Sequence, residues 1–287
     1  MGSFSILNNI AGINAQNQLN INNVNLNRTM LRMSSGRRIN SGADDAAGLQ
    51  IADSLRANIR AIDQAIRNAN DGIAVAQIAD GALQEISNLL TRAFTLAEQA
   101  ATETVDSTGR TALNQEFTYI EAEIARIAVQ TNFNGLGLFT TSGLNGDLSV
   151  FVGDISNASS IRVVVDTITA DATAGTVSGL GTADLTTVDL STQNGAIASF
   201  SVLKAALDAV ATNRAGLGAG MNRLQAAVAV LQAQSQNSQA AESTIRDANM
   251  AQEITNLTKY QILAQSGIAA LAQANQSAQL VLALLRQ

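Results

Sequence analysis

Two pairs of acids, Asp44–Asp45 and Glu121–Glu123, are the groups best spaced to divide general acid and base work. Helix chemistry explains both without a reaction. Asp44 and Asp45 stand in the first turn of a long apolar ladder, where the helix dipole favours negative charge, and Glu121 and Glu123 fit a solvated helix face. Asp147, Asp154, Asp166 and Asp171 lie further on, without the spacing of a calcium loop. Gly216-Leu217-Gly218-Ala219-Gly220 has the look of a phosphate loop, but no Lys-Ser/Thr follows, and it falls inside a heptad ladder where close helix packing is expected. The chain contains no His and no Cys. It therefore lacks the commonest near-neutral base and metal ligand, the thiolate nucleophile and any disulfide. The expectation is no enzyme, no catalytic, cofactor-binding or metal-binding residue, and no cofactor.

What remains is a chain built for helices. Its 287 residues include no Pro and only 3% aromatics, so a core must come from aliphatics and Ala. An interior Pro would cost a helix about 3 kcal/mol. The net charge of −6 and the scattered Lys and Arg argue against nucleic acid and anionic membrane surfaces. No run approaches the roughly 18 apolar residues of a membrane span, and nothing before Arg28 resembles a cleaved secretory leader.

Apolar residues recur at helical spacing near both ends. Ile6, Ile10, Ile13, Ile21, Val24 and Leu31 form one line, and Leu19, Leu26, Met30 and Met33 another. At the far end Ile254, Leu257, Gln261, Ala264, Ile268, Leu271, Asn275, Ala278, Leu282 and Leu285 step by threes and fours, the spacing of a coiled-coil seam. Asn17 and Asn275 fall within these lines and are candidates for fixing register. Ser34-Ser35-Gly36 and Asn40-Ser41-Gly42 mark a joint.

A rod from about Asp45 to Thr104 follows, its seam running through Leu55, Ile59, Ile62, Ile66, Ala69, Ile73 and Ala76 and, after a slip, through Leu83, Ile86, Leu90, Ala93, Ala97 and Ala100. If the rod kinks, Asp71-Gly72 and Asp80-Gly81 are the places to expect it, but both lie within the apolar rhythm. A reversal at 105–109 leads to a helix carrying Leu113, Phe117, Ile120, Ile124 and Ile127. Asn134-Gly135 then predicts a turn. Alternation at Leu148, Val150 and Val152, and at Ile161, Val163 and Val165, predicts an antiparallel hairpin. Residues 167–193 read as surface loop or small irregular β structure. Helix resumes near Ala196 with Leu203, Leu207, Val210, Arg214, Leu217, Met221, Leu224, Val228 and Leu231, and the polar stretch 232–243 reads as a second joint. The fold expected is mainly α: an elongated antiparallel helical bundle with a terminal coiled-coil pair and a small β-hairpin region.

Several blocks are similar to those of a known family. Met33-Ser34-Ser35-Gly36, Arg38-Ile39-Asn40-Ser41 and Asp44-Asp45-Ala46-Ala47-Gly48-Leu49 resemble the N-terminal signature of bacterial flagellins, and Gln130-Thr131-Asn132-Phe133-Asn134-Gly135 their turn before the β region. Ile245-Arg246-Asp247-Ala248, Gln261-Ile262-Leu263, Ala272-Gln273-Ala274-Asn275-Gln276 and Val281-Leu282-Ala283-Leu284-Leu285-Arg286 resemble the C-terminal one. Asn249-Met250 and Ser277-Ala278 depart from it.

The resemblance implies a secreted structural subunit that polymerises into the extracellular filament of the bacterial flagellum, used for swimming. Its partners would be other subunits, an export chaperone at about 250–287, and the filament cap and junction proteins. It further implies a terminal coiled-coil domain from 1–42 and 246–287, a wall of long helices from 43–137 and 196–245, and outward-facing hairpin and loops at 138–195. Apolar residues on more than one face of the terminal segments suggest an assembly seam of Ile6, Ile10, Ile13, Val24, Leu31, Ile254, Leu257, Ile268, Leu271, Leu282 and Leu285, with roughly 1–33 and 246–287 ordering only on assembly. An animal Toll-like receptor would meet Arg92, Leu96 and Glu116, although Phe94 and Thr95 stand where the family carries charge. The rival expectations are a hook–filament junction protein and a cytosolic coiled-coil scaffold.

Overall fold

The structure, a computed structural model, describes residues 9–140, 147–153, 159–164, 167–171, 176–181 and 183–285. Ile6, Asp154, Val165 and Asp166 lie outside them, as do the side chains of Asp147, Leu282 and Leu285. The helices are α1 (Ile10–Ser35), α2 (Ala46–Ala101), α3 (Ser107–Gln130), α4 (Gln193–Arg246) and α5 (Met250–Leu285). Three hairpins lie between α3 and α4: β1 (Asn132–Phe133) with β2 (Leu136–Gly137), β3 (Asp147–Phe151) with β4 (Ser160–Val164), and β5 (Ile168–Asp171) with β6 (Thr176–Leu180). The chain divides into two compact units, Met1–Ala57 with Asn237–Gln287, and Asn58–Gln236.

The unit from 58 to 236 has an aliphatic core. Ile62, Ala69, Ala76, Leu83, Ile86 and Leu90 of α2 pack with Phe117, Ile120 and Ile124 of α3 and Leu203, Val210, Leu217 and Leu224 of α4. These are the stripes that the spacing predicts. Arg214, on the α4 stripe, donates from Nε to Asp80 Oδ1 at 2.8 Å, and that hydrogen bond holds the guanidinium above its ordinary pKa.

Three expectations need correction. α2 is one unbroken helix of 56 residues through both Asp-Gly steps, because each Gly costs only about 1 kcal/mol while the core stripe continues beneath it. The stretch 232–243 is no joint: α4 runs through it to Arg246, since Gln and Ala are good helix formers and Ser235 is buried, donating to Asp63 at 3.2 Å. α4 is also long and apolar enough, by composition, to cross a membrane. Leu203, Val210, Leu217, Leu224 and Leu231 enter the protein's own core, whereas Ile197 and Val230 are exposed.

The turns follow local chemistry. Asn134 and Gly135 both have positive φ, 52° and 81°, the pairing a tight two-residue hairpin requires. In the β3–β4 hairpin Leu148 faces Val163 and Val150 faces Ile161. Val150 and Val163 are buried while Phe151 and Val164 are exposed, so the period of two is real. Residues 167–193 hold the β5–β6 hairpin, with a bulge at Thr169/Ala170, and a 3-10 turn at Leu185–Thr187.

Candidate functional site

No charged residue occurs from Ile10 to Asn27 or from Tyr260 to Leu285. These uncharged stretches make up most of α1 and α5, which pair antiparallel. Asn9 Nδ2 donates to the Ala274 carbonyl at 3.2 Å, and Leu19 lies over Gly267, where an added Cβ would stand 3.2 Å from its Cδ1. Nearer the joint, Arg32 reaches Glu253 at 3.8 Å, and Ala248 N donates to the Gly36 carbonyl at 3.0 Å.

The faces that meet are thin. On α1 the buried or half-buried line is Gly12, Ala15, Leu19, Asn22, Leu26, Thr29 and Met33; on α5 it is Glu253, Leu257, Tyr260, Ala264, Gly267, Leu271 and Ala274. Both advance by threes and fours, so a true seam exists. On α1 it follows the secondary apolar line, with Gly, Ala, Asn and Thr filling the gaps. Asn17 and Asn275 are exposed, whereas Asn22, 5% exposed, lies inside the seam together with Thr29 and Glu253.

The strongest apolar line points away. Ile10, Ile13, Ile21, Val24 and Leu31 are 53–60% exposed. At 3.6 residues per turn their centre lies about 180° around α1 from the seam. On α5, Leu257 and Leu271 belong to the seam, whereas Ile254, Ile262 and Ile268 are more than half exposed. A helix apolar all round belongs inside something larger. Burying the exposed half of one such side chain is worth about 1 kcal/mol, so this surface favours a partner.

Charge returns at the joint. α1 ends at Gly36 in the left-handed conformation, and only residues 247–249 separate α4 from α5. The two connectors bridge antiparallel, Arg38 N donating to the Arg246 carbonyl at 2.7 Å. Contrary to expectation, neither Asp44 nor Asp45 is in the first turn of α2. Asp45 caps it from outside, accepting from Gly48 N at 2.9 Å. Asp44 holds the preceding turn, accepting from Asn40 N, Ser41 N and Ser41 Oγ, with Arg32 at 3.5 Å and Arg28 at 3.9 Å. Desolvation pushes the Asp44 carboxyl up, but these hydrogen bonds and Arg32 outweigh it and leave its pKa below the ordinary value. Arg246, 9% exposed, pairs with Asp53 at 3.2 Å and Glu242 at 3.9 Å, and Arg56 reaches Glu242 at 3.2 Å. Buried ions cost stability unless paired, so this joint is fixed in geometry by its partners.

In the other unit, Arg92 on α2 donates to Glu116 Oε1 on α3 at 2.6 and 3.0 Å, and both side chains are exposed. Leu96 is 1% exposed and lies in the core, so it cannot meet a receptor. Glu123 pairs with Arg126 on the surface, which lowers its pKa. Glu121 is not on a solvated face: it is 8% exposed beneath β6 and accepts from Val177 N at 3.1 Å. Its burial raises its pKa, that hydrogen bond opposes the rise, and Asp184 adds to it. An apolar hairpin packed over a polar-looking helix position leaves no periodic signal, which is why the sequence conceals it. Asn22, Thr29 and Glu253 were likewise concealed, their only trace being three-four spacing among small and polar residues.

Comparison with known proteins identifies the family. The family description "Bacterial flagellin N-terminal helical region" covers residues 6–143, and "Bacterial flagellin C-terminal helical region" residues 200–285. The chain is 37% identical over 286 residues to Flagellin FlaB1 of Treponema pallidum, and 40% identical over 278 residues to a flagellin of Halalkalibacterium halodurans. It is 37% identical over 299 residues to a flagellin of Bacillus subtilis. In each case 97% of this chain and 98% of the relative are covered. A crystal structure of Bacillus cereus flagellin aligns at TM-score 0.49 with 28% identity, over 61% of this chain and 94% of that one.

Proposed function

This chain belongs to the bacterial flagellin family, structural subunits of the filament that drives swimming, and from that premise we propose that its copies join through the outward faces of α1 and α5. The observation that carries the reading is the row Ile10, Ile13, Val24 and Leu31, exposed on α1 opposite its own seam, with Ile254 and Ile268 exposed on its partner. The head-to-tail contact is heterologous, and a rotation that does not close gives an open helical polymer. The pair 1–42 with 246–287 then forms the inner layer of the filament, the helices of 43–137 and 196–245 the wall, and 138–195 the outer surface. In the free subunit the thin seam leaves the pair loosely held, and assembly completes its order.

Secretion into the extracellular filament, an export chaperone gripping 250–287, and cap and junction proteins at the filament ends belong to the same reading. So does contact of an animal Toll-like receptor with Arg92 and Glu116, whose exposed ion pair spans α2 and α3. Seeded elongation of the purified chain tests the central claim. Ile13→Asn with Val24→Asn should raise the critical monomer concentration at least tenfold while leaving circular dichroism of the monomer unchanged. Unaltered elongation would refute the role of this stripe. Failure of the wild-type chain to extend filament seeds, with incorporation only at the hook end, would instead favour a junction protein.

A further inference from the structure

The second unit has its own recess. Asn68, Asp71, Gly72 and Val75 of α2, Phe133 and Leu136 of the first hairpin, and Leu148, Val150 and Phe151 of β3 enclose a cleft of about 360 Å³. Gly72 makes it possible: a Cβ there would stand 2.5 Å from Val150 Cγ2, so β3 seats directly on the helix. Asn68 Nδ2 ties that edge by donating to the Phe151 carbonyl at 3.2 Å. Phe133, Leu136 and Phe151 are 37–51% exposed around an apolar floor. Among the described residues of the lining Asp71 is the one ionisable group, and it bonds to no described residue.

An occupant must therefore bring an apolar side chain with a cation beside it. On the helices of this unit, three large exposed apolar residues stand one heptad from a basic residue: Tyr119 with Arg126, Ile197 with Lys204, and Val230 with Arg223. Arg126 is already bound to Glu123, and Lys204 to Asp208 at 3.0 Å. Arg223 is exposed and pairs with no described residue, and Val230 is 66% exposed. The two lie within about 20° of each other on α4 and about 10 Å apart along it. Ala219 and Ala226 share their face, and a Cβ added at Gly216 would meet nothing within 4 Å, so a partner backbone can come close.

We propose that this cleft receives the Arg223–Val230 face of α4 from a second copy of the chain, Val230 entering the apolar floor and Arg223 meeting Asp71 at the rim. The contact is heterologous, as an open polymer requires. It rests on the filament-subunit reading but uses neither terminal helix, so the two can fail separately.

A charge exchange tests it. In seeded elongation of full-length protein, Asp71→Arg and Arg223→Asp should each raise the critical concentration about tenfold with unchanged monomer melting. The double variant should recover most of the loss. Single variants that elongate normally, or a double variant no better than either, would overturn the pairing. Because the chain has no cysteine, Ser149→Cys and Ala226→Cys copies mixed in one filament give a clean second reading. Oxidation should yield disulfide-linked dimers in filaments and none in monomers. Absence of cross-linking in filaments that do form overturns the proposal while leaving assembly through α1 and α5 intact.

Discussion

Gly72 and Gly81 stand in the same helix and pass through the same kind of Asp-Gly step, yet replacing them by Ala should move stability in opposite directions. An interior Gly→Ala exchange gains about 1 kcal/mol in helix propensity. At Gly81 a Cβ meets nothing within 4 Å, so the whole gain is realised. At Gly72 the same Cβ falls 2.5 Å from Val150 Cγ2 and 3.3 Å from Leu224 Cδ1, one in the hairpin and one in the core stripe of α4. Overpacking of that kind costs about 1–3 kcal/mol, which cancels or exceeds the gain. For a unit of this size 1 kcal/mol moves the melting midpoint by about 2–4 °C. Gly81→Ala should therefore raise Tm of the monomer by that amount, and Gly72→Ala should leave it unchanged or lower it by up to about 8 °C. Urea titration followed by circular dichroism gives the free-energy difference between the variants, expected at about 1–3 kcal/mol. Equal shifts at the two positions would mean that β3 does not rest on α2 at Gly72, and the cleft described above would lose its floor.

Two further outcomes follow from buried polar groups. Glu121 has its pKa raised above 4.5 in the folded chain, so its contribution is fully present below that value and is lost as pH rises through the raised one. Glu121→Gln should thus match the wild type in acid and exceed it near neutrality, with thermal melts at pH 4 and pH 7 as the check; a variant equally weak at both would contradict it. Asn22 lies in the seam of the terminal pair, where a polar residue fixes register at some cost in stability. Asn22→Leu should make α1 and α5 of the monomer more resistant to limited proteolysis yet yield filaments of altered regularity by electron microscopy; more fragile ends would contradict the seam assignment.

Hydrophobic spacing reports that a surface is buried, and it does not report by what. In the unit from 58 to 236 the two coincide, because Leu83 and Ile86 of α2 and Leu217 and Leu224 of α4 find each other within one chain, and their stripes were legible residue by residue. The Asn134-Gly135 turn was legible for a different reason, since two successive positive φ angles restrict the choice of residue. On α1 burial and partner part company. Ile10, Ile13, Val24 and Leu31 give the strongest ladder, yet the intramolecular seam runs along Gly12, Ala15, Asn22 and Thr29. A sequence shaped for the monomer alone would gain about 1.5–3 kcal/mol for each large aliphatic placed in that seam. This chain keeps Ile10, Ile13, Ile21, Val24 and Leu31 on the far side and sets Leu19, Leu26 and Met33 among small or polar residues within. That arrangement supports the proposal that copies of the chain join through these outward faces. Charged groups set the geometry of the joint, Arg246 with Asp53 and Asp44 with Arg32.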